Sequence, residues 1–174
     1  MRIAIVTDAW TPQVNGVVNT LKATQQCLAN SGHEVQVCGP DDLDTFSLPA
    51  FPDIRLARKP YAGVEASLDA FAPDSIHIAT EGPMGLAARR YCLSRRLDFT
   101  TSCHTRLPEY VRAHSPVPMA LTYRWLRWFH APSRAVMAPT PGIQRMLEQR
   151  GFRHVVLWGR GVDTNHFRPE RQDY

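Results

Sequence analysis

A chain of 174 residues with 44% hydrophobic and 21% charged side chains has the balance of a globular protein, which excludes both a disordered chain and a membrane-embedded one. That length buries a substantial core in one domain and leaves no room for a second. The net charge of +4 favours anionic partners in general, without separating nucleic acid from phospholipid or nucleotide sugar.

The chain opens on MRIAIVTDAW, and residues 2–7 form an apolar, β-branched run that reads as a strand. No long apolar region with a small-residue cleavage site is found here, so a signal peptide is not read and a cytoplasmic location is expected. A helix is predicted over residues 16–30, with Val17, Val18, Leu21, Cys27 and Leu28 sharing one face and Gly32 as the stop. A strand follows at 34–38. Residues 41–63 are rich in Pro and Asp and are expected to form a long loop enclosing a short strand at 54–57. Helix and strand then alternate, with helices at 64–71, 85–96, 118–129 and 141–149 and strands at 75–79, 99–103, 135–138 and 155–158. Residues 104–115 read as a loop, and the stretch after Gly159 is too polar and too rich in turn formers to pack.

Apolar strands alternating with helices are the pattern of an α/β, Rossmann-like fold, a parallel sheet with helices on both faces. In such a sheet ligands bind beyond the carboxyl ends of the strands, so the loops leaving each strand carry the candidates. After the first strand, TDAWTPQVNG delivers Asn15 and Gly16 to the start of a helix, where free N–H groups and a glycine suit a phosphate; a plain turn glycine is the alternative. After the fifth strand, TTSCHTRLPEY places His104 at the strand end, the best single candidate for proton or hydrogen-bond work near neutral pH. The adjacent Cys103 points to the opposite face and reads as a buried thiol. Glu81, in TEGPMG, suits either sugar hydroxyls or the N-terminal end of the next helix.

Other patterns narrow the field. The four cysteines, Cys27, Cys38, Cys92 and Cys103, stand singly without a CxxC pair and read as reduced, mostly buried thiols rather than a metal cage. GxGxxG is absent, which counts against an NAD or FAD enzyme, and no GxSxG elbow marks a hydrolase. LTYRWLRWFH suits a core helix with flanking arginines, the favoured reading, or an interfacial helix on an anionic membrane.

Three segments together resemble the retaining glycosyltransferases of family 4, whose fold is called GT-B. They are RIAIVTDAWTPQVNGVVNTL with LANSGHEVQVCGP, IHIATEGPMGLAAR with SCHTRLPEYVRAH, and LWGRGVDTNHFRPE. The resemblance implies two Rossmann-like domains facing across a cleft, the first for acceptor and the second for a nucleotide-sugar donor, with sugar transfer that retains anomeric configuration and needs no metal or other cofactor. It makes residues 1–174 the acceptor-side domain, with 159–174 beginning the interdomain connector and the donor domain, with its paired glutamates, absent. By motif position Asn15 and Gly16 would touch the donor diphosphate and His104 the transferred sugar. Asp8, Trp10, Glu81, Thr105 and Tyr110 would face the acceptor, and Arg160 and Asp163 would sit at the mouth of the cleft. Asn15-Gly16 stands where many members carry two glycines. The implied partners are a GDP- or UDP-sugar, a lipid acceptor and the inner membrane face, and not nucleic acid. The isolated domain is expected to be inactive. The rival reading is a stand-alone module that binds nucleotide or anionic lipid without catalysis.

Overall fold

The computed structural model describes residues 1–41, 43–48, 51–104, 106–159 and 161. In chain order it runs through β1 (Arg2–Val6), α1 (Gly16–Asn30), β2 (Glu34–Cys38), β3 (Thr45–Leu48), β4 (Phe51–Ala57), α2 (Tyr61–Phe71) and β5 (Ser75–Ile78). It continues through α3 (Pro83–Arg95), β6 (Phe99–Ser102), α4 (Leu107–His114), α5 (Met119–His130), β7 (Val136–Ala138), α6 (Pro141–Gln149) and β8 (Val155–Leu157). Six strands form one sheet in the order β2-β1-β5-β6-β7-β8, with parallel pairing throughout.

Strand order explains which helix covers which face. From β1 the chain steps outward to β2, and from β5 it steps the other way to β8, so right-handed crossovers place α1 opposite the later helices. Register fixes the two sides: Val6, Ile78, Thr101, Val136 and Val155 lie in one lateral row, while Ile5 pairs with His77 and His77 with Thr100 in the row facing away. The first face carries the larger core, in which Val6 and Ile78 meet Val64, Leu68, Met84 and Phe129 from α2, α3 and α5. Towards β7 and β8 that face continues as Val136, Ala138 and Val155 against Tyr123, Leu126 and Leu147 of α5 and α6. On the opposite face α1 packs Leu21 against Ile5. Beyond α1 this face holds an apolar groove of about 330 Å³, whose floor includes His77, Thr100, Met137 and Val156.

Local chemistry sets the helix ends. Asn15 caps α1 by accepting the N–H groups of Val17 and Val18 at 3.0 Å each. Thr140 accepts from Ile143 N–H at 3.2 Å, with Pro141 in the first turn of α6. The start of α3 has no cap from its own residue, Gly82, and is satisfied from β1, as described below.

Three features differ from expectation. Residues 41–63 contain an antiparallel hairpin, β3 with β4, separate from the main sheet; Pro49 and Pro52 hide its strand character in the sequence. Residues 107–114, expected as loop, form α4, because Pro108 lies in its first turn, where a missing N–H costs nothing. Cys27 is exposed, whereas Cys38, Cys92 and Cys103 are buried: Cys27 follows Leu21 by six positions, which turns it well away from the buried face of α1. Among the described residues no helix is long and apolar enough to cross a membrane.

Candidate functional site

Because the sheet is parallel, every strand ends at one edge, and β1 and β5 are neighbours at the point where chain progression reverses. Their exit loops are tied together. The Thr80 hydroxyl donates to Asp8 Oδ2 at 2.7 Å and accepts the Asp8 N–H at 2.7 Å, and Met84 N–H donates to Asp8 Oδ1 at 2.9 Å. Asp8 thus supplies the missing cap of α3 from another strand. It is only 6% exposed, and burial is the largest influence on it, raising its pKa above the ordinary carboxylate value against the opposing hydrogen bonds. The fit leaves no slack: a Cβ on Gly82 would lie 2.6 Å from the Asp8 carboxylate, and one on Gly85 would collide with the Thr80 carbonyl.

Trp10 lies across the backbone of Gly39, where an added Cβ would meet the Trp10 Cβ at 3.0 Å, and it packs against the cluster of Ile5, Leu21 and Ala79. Gly16 is exposed, and the space beside it is open, since a Cβ there would meet nothing within 4 Å. The Asn15 side-chain oxygen already accepts two α1 N–H groups. Glu81 turns inward: its carboxylate is 3.4 Å from Nε2 of buried His130, whose Nδ1 is 2.9 Å from the Thr101 hydroxyl. Tyr110 sits on the outer side of α4 with its ring 4.7 Å from that of His114. Thr105, Arg160 and Asp163 lie outside the described residues.

His104 follows β6 and is half-buried, and its ring meets the edge of Trp158 at 5.7 Å. Trp158, just beyond β8, also meets His77 at 5.7 Å. His77 is held from both sides, Nδ1 at 2.9 Å from Thr100 Oγ1 and Nε2 at 3.1 Å from Ser102 Oγ. Ser102 donates its own proton to the Ala79 carbonyl, so it accepts from His77, which places the imidazole hydrogen on Nε2. Burial, reinforced by His104 nearby, lowers the His77 pKa to about 3 and keeps the ring neutral.

The strand ends therefore bring Asp8, Trp10 and Glu81 to one edge together with His104, and set Gly16 at the head of α1. Thr80, His77 and Trp158 escape a reading of the sequence by motif. The signal for His77 is a polar residue inside the apolar strand SIHI; for Trp158 it is an aromatic closing the last strand before Gly159.

A Rossmann-like sheet with its conspicuous polar residues gathered at the switch point is the architecture of nucleotide-dependent α/β enzymes. The chain belongs to Glycosyltransferase Family 4, whose family model matches residues 14–166. It is 25% identical over 189 residues to a GDP-mannose-dependent alpha-mannosyltransferase of Corynebacterium glutamicum, covering 99% of this chain and 46% of that protein. A protein of the same description from Mycobacterium tuberculosis is 26% identical, over 99% of this chain and 50% of its own length. An alpha-monoglucosyldiacylglycerol synthase of Streptococcus pneumoniae is 27% identical over 64% of this chain and 28% of that protein. The fold matches an S. aureus MnaA-UDP co-structure with a TM-score of 0.59 at 14% identity, over 97% of this chain and 48% of that one. UDP-GlcNAc 2-epimerase from Methanocaldococcus jannaschii matches with a TM-score of 0.56 at 14% identity, over 90% and 45% of the two chains. These structural neighbours are of the GT-B type. The chain spans about half the length of the mannosyltransferases it matches.

Proposed function

We propose that this chain is the acceptor-side domain of a two-domain hexosyltransferase that moves a sugar, mannose first among the candidates, from a GDP- or UDP-sugar to an acceptor with retention of configuration. The observation that carries the reading is the alignment of 99% of the chain with GDP-mannose-dependent mannosyltransferases. A lipid acceptor is the preferred class, supported by the likeness to a glucosyldiacylglycerol synthase. The protein then works in the cytoplasm, at the inner face of the membrane.

Within this reading His104 faces the transferred sugar and hydrogen-bonds it or stabilises developing charge, with Trp158 setting the ring's orientation. Gly16 admits the donor diphosphate to the head of α1, where the space is open and the positive end of the helix dipole favours an anion. Asn15 contributes by fixing that first turn. Trp10 and Tyr110, together with Thr105, supply acceptor contacts, while Asp8 and Glu81 shape the wall through Thr80 and His130. The same reading assigns Arg160 and Asp163 to the cleft mouth.

The test compares the full-length protein with the 174-residue chain alone. Full-length protein should release GDP or UDP from the matching sugar donor in the presence of a lipid acceptor, and product NMR should show the donor's anomeric configuration. The isolated chain should turn over nothing and bind nucleotide weakly. Turnover by the isolated chain would overturn its assignment as half a site, and tight nucleotide binding without transfer by the full protein would favour a binding module.

A further inference from the structure

Helices α3 and α5 lie side by side on one face of the sheet, joined where the Arg89 guanidinium stacks 4.0 Å over the Trp128 ring and donates to the carbonyls of Phe129 and Trp128 at 3.0 Å each. Their outward sides are not those of ordinary solvent-facing helices. On α5, Leu121 and Trp128 are seven positions apart, two helical turns, and are 48% and 52% exposed, with Arg124 exposed between them. On α3, Leu86 and Leu93 repeat the spacing at 37% and 44% exposure, flanked by Arg89 towards α5 and by Arg90 on the other side. Beside Leu121 a shallow depression of about 330 Å³ is lined by Val117, Thr122 and Trp125.

Neither helix carries an acidic residue. The acids on the adjoining α2, Glu65 and Asp69, are both engaged by Arg95, at 3.0 Å each. The surface is therefore cationic and apolar at once. We propose that the outer side of α3 and α5 docks on an anionic lipid bilayer, with Leu86, Leu93, Leu121 and Trp128 entering the headgroup–acyl boundary and Arg89, Arg90 and Arg124 meeting lipid phosphates.

Charge selects this occupant over the alternatives. A second copy meeting the same patch across a two-fold axis would set arginines against arginines. A nucleic acid has no use for a ridge of leucines, which neither stack on bases nor pair with phosphate. A bilayer with anionic headgroups satisfies both components, because Trp and Arg sit at headgroup level while Leu reaches the acyl chains. The proposal deepens the membrane placement read above by naming the surface that meets the bilayer, and vesicle binding without a sugar donor tests it separately from transfer.

The experiment is co-sedimentation of the chain with vesicles of phosphatidylcholine alone and of equal parts phosphatidylcholine and phosphatidylglycerol, at low and high salt, with no sugar donor present. Binding is expected only to the anionic vesicles and should weaken with salt. Arg124→Gln and Arg90→Gln should each weaken it roughly 5-fold, equivalent to about 1 kcal/mol per arginine near the surface. The pair Leu121→Ser and Trp128→Ser should weaken it about 10-fold or more, whereas Val156→Ser, an equally exposed apolar site on the opposite face of the sheet, should not. Circular dichroism confirms that each variant is folded, and the two arginine variants test the surface even where the apolar pair is not. Equal binding to neutral vesicles, or full binding by the arginine variants, overturns the proposal. So does a vesicle-free dimer that Trp128→Ser dissociates.

Discussion

Asp8 and Thr80 hold each other twice, the hydroxyl donating to the carboxylate and accepting the backbone N–H, both at 2.7 Å. That pair joins the exit loops of β1 and β5 at the switch point of the sheet and leaves Asp8 Oδ1 free to receive the Met84 N–H at the head of α3. An aspartate at a strand end is thus first a structural clamp, and whatever binds at this edge meets a wall that Asp8 has already fixed.

Removing the clamp should loosen both loops. Asp8→Ala leaves the buried Met84 N–H and the Thr80 hydroxyl without their acceptor, a loss of about 2–3 kcal/mol. Urea unfolding followed by circular dichroism should show the lower midpoint; an unchanged midpoint would mean that water replaces the carboxylate at no cost.

Gly85→Ala is expected to be more damaging, because the new methyl would strike the Thr80 carbonyl, a backbone atom that cannot swing aside. A loss of about 3 kcal/mol or more is predicted, with Gly16→Ala, where the space is open, costing far less. Similar melting temperatures for the two variants would contradict this packing.

His77 gives the fold a pH dependence. Its folded pKa, about 3, lies below the ordinary 6.5, so as pH falls through 6.5 the unfolded chain takes up a proton that the folded chain refuses. The stabilisation is present in full above 6.5 and is lost on acidification at about 1.4 kcal/mol per pH unit until His77 itself titrates. His77→Gln, which keeps hydrogen-bonding capacity without the charge, should show a shallower decline by one proton across this window. Parallel stability profiles for the two proteins would refute it.

His104→Ala in the full-length enzyme should reduce sugar transfer about 100-fold or more while leaving donor affinity nearly intact, as expected of a group that acts on the reacting sugar. Single-turnover rates alongside nucleotide-sugar titration separate the two effects. An unchanged transfer rate would reject the role proposed for His104.

How much was legible varies with how local the information is. Helix α1 was readable to its ends because Asn15, the apolar repeat and Gly32 are all signals carried within a few residues. Helix α4 was not, because Arg106 offers no side-chain cap and Pro108 reads as a breaker; Glu109, accepting from Tyr123 at 3.1 Å, ties it to α5 from a distance. Hairpin β3–β4 was half visible: residues 54–57 of β4 read as a strand, while Pro52 hides its start and the four residues of β3 run straight into Pro49 in the sequence. For LTYRWLRWFH the two readings divide by residue: Phe129 is fully buried and Trp125 packs on two core clusters, while Trp128 stands half exposed.

The sequence alone determined the α/β class, the family and the positions where strands hand over to loops, since these follow from apolar periodicity, turn residues and short motifs that act within a few residues of themselves. Only the tertiary structure decided what those loop residues touch. Asp8 meets Thr80 across 72 positions, Glu81 reaches a buried His130, and Trp158, just beyond β8, lies against His77 and His104. Such contacts arise because a parallel sheet stacks remote strands at one edge, and no local pattern encodes the register that brings them together.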